Sequence, residues 1–83
     1  MVELCIYDDG YKRWLYDHWV HRDNGPAILW IDGSTEWRYH GQRHRVNGPA
    51  VTVASGSKWW YWYDQEVTEY EHMMLATQTS NND

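Results

Sequence analysis

Short apolar runs separated by polar turns organise this chain. Ala27 to Ile31 is apolar, Asp32-Gly33 follows, and Thr35 to His40 then alternates polar and aromatic residues. A period of two is a strand signature, and two such runs around Asp-Gly predict a β-hairpin. The pattern returns at a fixed step. His21-Arg22-Asp23-Asn24-Gly25-Pro26-Ala27 recurs as His44-Arg45-Val46-Asn47-Gly48-Pro49-Ala50, and 44 − 21 = 23. The same step links Gly33-Ser34 to Gly56-Ser57, and Asp32-Gly33 back to Asp9-Gly10. Trp14, Trp37 and Trp60 share it, as do Tyr16, Tyr39 and Trp62. The chain therefore reads as three hairpin copies, about 4–17, 27–40 and 50–63, the first without the His-Arg-Gly-Pro lead-in.

Taking Asp32-Gly33 as a two-residue type I′ loop sets a register. Ile31 then pairs with Ser34, Trp30 with Thr35, Leu29 with Glu36 and Ile28 with Trp37. Paired residues share a face. One face is thus expected to gather Ile28, Trp30, Trp37 and Tyr39. Transposed by the repeat, it also holds Cys5, Tyr7, Trp14 and Tyr16, then Val51, Val53, Trp60 and Trp62. The opposite face, Leu29, Ile31, Glu36, Arg38 and His40, is mixed. In the third copy it turns aromatic at Trp59, Tyr61 and Tyr63, which predicts a covering element there. Pro26 and Pro49 cannot donate a ladder hydrogen bond and are expected at the first residue of a strand, each after a glycine, Gly25 or Gly48, that eases a chain reversal.

Thr68 to Ala76 has a helical pattern. Thr68 with Glu71 suits a capping box, and Val67, Tyr70, Met74 and Thr77 fall on one stripe expected to pack on the sheet. The helix is predicted over 68–77, with 78–83 frayed. The fold class is mainly β: a single domain, a meandering antiparallel sheet of about six strands from three 23-residue hairpin repeats, with one C-terminal α-helix.

Composition refines this picture. The 83 residues include 7 Trp and 7 Tyr but no Phe, so every aromatic carries a polar N–H or O–H. Such rings suit a thin sheet with one wet side, or a contact surface. The net charge of −5 argues against nonspecific nucleic-acid binding and favours a basic partner. A lone cysteine, Cys5, gives no internal disulfide, which suits a reducing cytoplasm. No basic segment followed by a long apolar run opens the chain, and no apolar run is long enough to span a bilayer.

Candidate chemistry is sparse. His18, His21, His40, His44 and His72 invite a metal reading, but His21 and His44 are repeat-equivalent and are expected to do one structural job twice. Cys5 lies within a predicted strand as a small hydrophobe. Ser55-Gly56-Ser57 is a turn, and Asp9 of Asp8-Asp9 matches the turn residue Asp32. The reading is therefore non-enzymatic, without cofactor or metal. Arg38 to Arg45 holds three arginines and no acid. These arginines either stack on neighbouring rings as solvated charge, or form an anion pocket beside them. Trp19 and Trp30, beside Arg38, His40, Arg43 and Arg45, are the candidate partner-binding residues, since binding hot spots favour Trp, Tyr and Arg.

The run Glu36-Trp37-Arg38-Tyr39-His40-Gly41-Gln42-Arg43-His44 resembles a variant of the membrane occupation and recognition nexus (MORN) repeat. Over residues 4 to 63 the chain is more similar to the His-Arg-x-x-Gly-Pro-Ala … Asp-Gly-x-x-x-Trp repeats of short phage and large-virus proteins. The resemblance implies a meandering antiparallel sheet acting as a scaffold or contact surface; some members bind lipids. Asn-Gly-Pro stands where the family has Gly-x-Gly, and no strong basic cluster supports lipid binding. The viral likeness implies an inhibitor of a host defence protein, working in the host cytoplasm. The expected function is thus a protein-binding module with a protein partner, one bearing a basic groove or a second copy of the chain, and neither membrane nor nucleic acid. The alternative is a nucleotide-sequestering protein using aromatic stacking and the Arg38–Arg45 segment.

Overall fold

The computed structural model describes residues 2–80. It is mainly β, an antiparallel sheet of many strands with one C-terminal helix. The strands are β1 (Val2–Ile6), β2 (Lys12–Tyr16), β3 (Trp19–Val20), β4 (Ile28–Leu29), β5 (Thr35–Glu36), β6 (Arg38–Tyr39), β7 (Gln42–Arg43), β8 (Val51–Thr52), β9 (Lys58–Trp62) and β10 (Gln65–Val67). Helix α1 spans Glu69–Ser80. The sheet runs β1-β2-β4-β5-β8-β9-β10, β3 pairs with β2, and β6 and β7 form a separate pair. The molecule is a slab of 42 × 32 × 18 Å.

The Asp-Gly loops differ from the expected type I′ turn. Tyr7 N–H donates to the Tyr11 carbonyl, Trp30 N–H to Ser34 and Val53 N–H to Ser57, so three residues form each loop. Only the glycine is left-handed, with φ of +90° at Gly10, +95° at Gly33 and +98° at Gly56. In the first two loops the aspartate carboxylate also accepts the N–H two residues on: Asp9 Oδ1 from Tyr11 at 3.0 Å, and Asp32 Oδ1 from Ser34 at 2.8 Å; the third has Ser55 at this position. This is the three-residue hairpin loop ending in a left-handed glycine.

The longer loop slips the register by one. Leu29 pairs with Thr35 and Ile28 with Glu36; in the first hairpin Leu4, not Cys5, opposes Trp14. A slip of one moves side chains to the other face, so the expected aromatic face does not form. Instead Cys5, Arg13, Ile28, Glu36, Val51 and Trp59 lie in one row across six strands. Tyr7, Tyr11 and Trp30 form a ring ladder on that face, with centroids 5.2 and 4.7 Å apart. Ile6, Lys12, Leu29, Thr35, Thr52 and Lys58 form the opposite row.

A second set of turns adds the short strands β3, β7 and β10, giving ten segments where about six were expected. Asp17-His18, His40-Gly41 and Tyr63-Asp64 all have positive φ at both positions, as type I′ turns require. Trp37 separates β5 from β6: its N–H donates to Ala50 and its carbonyl accepts from His44 N–H. There the chain leaves one neighbour and joins another.

The His-Arg-x-x-Gly-Pro-Ala segments are the joints. Arg22 lies over the Trp14 ring at 4.0 Å and Arg45 over Trp37 at 3.9 Å. A Cβ on Gly25 would come within 3.0 Å of the Arg22 guanidinium carbon, and one on Gly48 within 3.1 Å of Arg45, so glycine leaves room for each stack. Arg22 and Arg45 donate to the Pro26 and Pro49 carbonyls at 3.3 and 3.2 Å. Pro26 and Pro49 therefore precede β4 and β8 instead of starting them, because Ala27 and Ala50 intervene, fully buried at the crossing. Among the described residues the buried apolar core is only Ala27, Ile28 and Ala50, and no large side chain is fully buried.

Helix α1 begins after Thr68, whose Oγ1 accepts Glu71 N–H at 3.0 Å while Glu71 Oε1 accepts Thr68 N–H at 2.8 Å. This is the expected capping box. The stripe is different: Tyr70 and Met74 are exposed and His72 is the buried contact. His72 Nε2 bonds the Arg45 carbonyl and its ring meets Trp62 edge-on, an anchor that turns the Tyr70–Met74 side outward. The helix thus lies on the Trp60–Trp62 side and not over Trp59, Tyr61 and Tyr63; Trp59 and Tyr63 stay exposed. Of the segment expected to fray, 78–80 are helical and 81–83 lie outside the described residues.

Candidate functional site

The cationic segment is largely committed to the protein itself. Arg38 sends Nε and Nη2 to Glu36 Oε1 at 2.8 and 2.6 Å, and Nη1 to the Gly41 carbonyl at 2.8 Å. Arg43 bonds Asp64 Oδ1 at 2.9 Å and the Tyr61 hydroxyl at 3.2 Å, with its guanidinium 4.3 Å from the Tyr61 ring centre. The pairing raises the Arg43 pKa and lowers that of Asp64. Arg45 is stacked on Trp37, and burial lowers its pKa. His40 packs its ring against Tyr39, His21 and Tyr16. A depression of about 320 Å³ opens between Arg22, Arg45, Trp37, Tyr39 and Tyr63. Arg43 and Arg45 thus lie over the Tyr61 and Trp37 rings, while Arg38 is paired with Glu36.

The histidines of the joints act on the turns. His21 Nδ1 accepts His40 N–H at 3.0 Å, which leaves Nε2–H to donate to Asp23 Oδ1 at 3.0 Å. His44 Nδ1 accepts Tyr63 N–H at 3.2 Å, and its ring stacks on Tyr63 at 3.9 Å. Burial, then the neighbouring His72, lowers the His44 pKa. His21 and His44 thus do the same job on successive type I′ turns. Among the described residues no three His, Cys, Asp or Glu side chains converge as metal ligands. Cys5 is a half-buried free thiol in the Arg13 row.

Trp19 and Trp30 are both exposed, at 55% and 43%. The structure does not join them. Trp19 pairs with Tyr16 and Ile28 with Arg13. Tyr16 and Arg13 lie three apart on β2, so Trp19 and Trp30 fall on opposite faces. Trp30 stands in a hollow of about 520 Å³ with Tyr11, Val51 and Val53, bordered by Asp9, Asp32 and Glu36. The turn hydrogen bonds from Ser34 lower the Asp32 pKa, and Glu36 of this border is paired with Arg38. Trp19 lies against Gly41, where a Cβ would come within 2.6 Å of its ring. Arg38 bonds the Gly41 carbonyl and lines the depression beside Trp37 and Tyr39 together with Arg45, whereas Arg43 is held by Asp64.

Sequence reasoning missed the apolar strip beside Trp19. Val2, Tyr16 and Trp19 form one row across β1, β2 and β3, and all three are exposed. Leu4 and Ile6 continue it along β1. The alternation Val2-Glu3-Leu4-Cys5-Ile6 carried the signal, but the expected two-residue loop set Cys5, not Leu4, on the face of Trp14 and Tyr16. No helix among the described residues is long and apolar enough to cross a membrane. Comparisons with protein-family models, curated proteins and solved structures found no match to this chain.

Proposed function

We propose that this chain is a non-enzymatic protein-binding module that acts by covering a partner's surface. The observation that carries the reading is the exposed strip of Val2, Leu4, Ile6, Tyr16 and Trp19. Contiguous apolar surface of this kind on a small domain marks an interaction site. The Trp30 hollow is a second contact point suited to a basic side chain, in line with the net charge of −5. We read the architecture as three 23-residue units that hold these surfaces apart. Loops at Gly10, Gly33 and Gly56, turns at 17–18, 40–41 and 63–64, and the Trp–Arg stacks all recur at that step. On this reading, and with the viral likeness of the repeats, the module blocks a protein of the host cytoplasm.

The test is quantitative affinity capture from a bacterial lysate with the tagged chain. A protein enriched by the wild type should be lost with Trp19→Ala and weakened with Trp30→Ala, while circular dichroism stays unchanged. Capture that is indifferent to both substitutions would overturn the assignment of the surface. The small-ligand alternative draws on the depression between Arg22, Arg45, Trp37 and Tyr39. A nucleotide that raises the melting temperature, and loses that effect in Arg45→Ala, would establish it instead.

A further inference from the structure

Among the described residues β1 is an edge strand that pairs with β2 alone, and Val2, Glu3, Leu4 and Ile6 are exposed. Edge strands are normally blunted by lysine, proline or a bulge. β1 has none of these; its five residues pair with β2 without interruption. Its outward hydrogen-bonding positions follow from the hairpin. Tyr7 bonds Tyr11, so Cys5 and Glu3, two and four residues back, turn their backbone groups toward β2. Val2, Leu4 and Ile6 turn theirs outward.

We infer that β1 pairs antiparallel with β1 of a second copy, about a two-fold axis at Leu4, joining the two sheets edge to edge. The inference extends the interaction reading by naming one partner. Leu4 opposes Leu4 of the second copy, and Val2 opposes Ile6, so every outward N–H and carbonyl of the three residues meets its complement. The side chains agree with this register. On one face Leu4 meets Leu4 of the second copy, with a Trp14 flanking the pair on either side, and Trp19, Tyr16 and Val2 continue into Ile6 and Lys12 of the second copy. On the other face Glu3 lies opposite the neutral Cys5, not another Glu3. Beyond that Cys5 comes Arg13 of the second copy, two strand spacings or about 10 Å from Glu3. Arg13 stacks on Tyr7 and bonds its hydroxyl, yet its buried Nε has no acceptor, and Glu3 has no ion pair among the described residues. The register thus puts no like charges directly opposite each other on this face. A two-fold interface needs this self-complementarity.

Sedimentation of the pure protein from about 1 to 300 µM, the range of weak interfaces, reads the equilibrium directly. A concentration-dependent dimer is expected. Leu4→Lys and Leu4→Glu each place like charges at the axis and should be monomeric, while an equal mixture of the two should restore dimer. Leu4→Cys in a Cys5→Ser background should oxidise to a covalent dimer, since such pairs hold Cα atoms about 5.5 Å apart. Cys5 of the wild type should not crosslink. A wild type that stays monomeric overturns the inference, as does a dimer that survives both charged substitutions. No other protein is present in this assay, so a monomeric result leaves capture of a heterologous partner through Trp19 standing. Failed capture, conversely, would leave the dimer standing.

Discussion

His44 couples a joint to the turn nineteen residues beyond it, and its removal gives the sharpest test of how this sheet is held. The ring is 8% exposed, stacked on Tyr63 and edge-on to Trp62 at 4.6 Å. Each ring contact contributes roughly 0.5–1.5 kcal/mol. Losing the acceptor for Tyr63 N–H costs about 1 kcal/mol, the low end for an orphaned donor, because Tyr63 borders solvent. His44→Ala should therefore cost about 3 kcal/mol. Stability on the order of 4–12 kcal/mol is typical of a chain this size, so much of the total is at stake. His44→Phe keeps the rings and removes only the acceptor; it should cost about 1 kcal/mol. Urea denaturation followed by tryptophan fluorescence measures both. The pH dependence has a definite sign. Burial lowers the folded-state pKa of His44 below the ordinary value of about 6.5. The unfolded chain then takes the proton first, so the His44 contribution is whole above about pH 6.5 and is lost as pH falls through the folded pKa. That acid loss should vanish in His44→Phe. A cost below about 1 kcal/mol for His44→Ala, or equal costs for Ala and Phe, would refute the reasoning.

The glycines separate backbone strain from contact. Gly33→Ala meets no atom within 4 Å and should cost about 1–2 kcal/mol from its positive φ alone, whereas Gly41→Ala should cost more and shift the Trp19 emission. Arg45→Ala removes a guanidinium stacked on Trp37 and should cost about 2 kcal/mol; Arg43→Ala, at a surface pair with Asp64, should cost under about 1 kcal/mol in the same urea assay. Thr68→Ala should fray α1 and reduce the helical signal at 222 nm, with the strands retained. Hydrogen bonding to Thr68 lowers the Glu71 pKa, so the cap is whole above the ordinary carboxylate pKa of about 4.3 and is lost as pH falls through the folded value.

The sequence alone determined the β class, the capping box at Thr68 and the shared duty of His21 and His44. These are legible because each is a local hydrogen-bonding habit or a repeat of one. It left the arginines of 38–45 as either stacked, solvated charge or an anion pocket; Arg43 and Arg45 lie over the Tyr61 and Trp37 rings, and Arg38 is paired with Glu36. The faces were not legible. Asp-Gly and Ser-Gly alike close three-residue loops here, and that one extra loop residue sets which side of the sheet the paired side chains occupy. The type I′ turns at 17–18 and 63–64 contain no glycine; His21 and His44 hold the next ones from nineteen residues away, a contact no local pattern reports. The helix stripe misled for the same reason. Tyr70 and Met74 form the better apolar stripe, but His72 reaches the Arg45 carbonyl, and that tertiary bond sets which side of the helix faces the sheet. Tertiary structure alone placed Trp19 and Trp30 on opposite faces and left β1 as an open edge, because pairing order and register are properties of the assembled sheet.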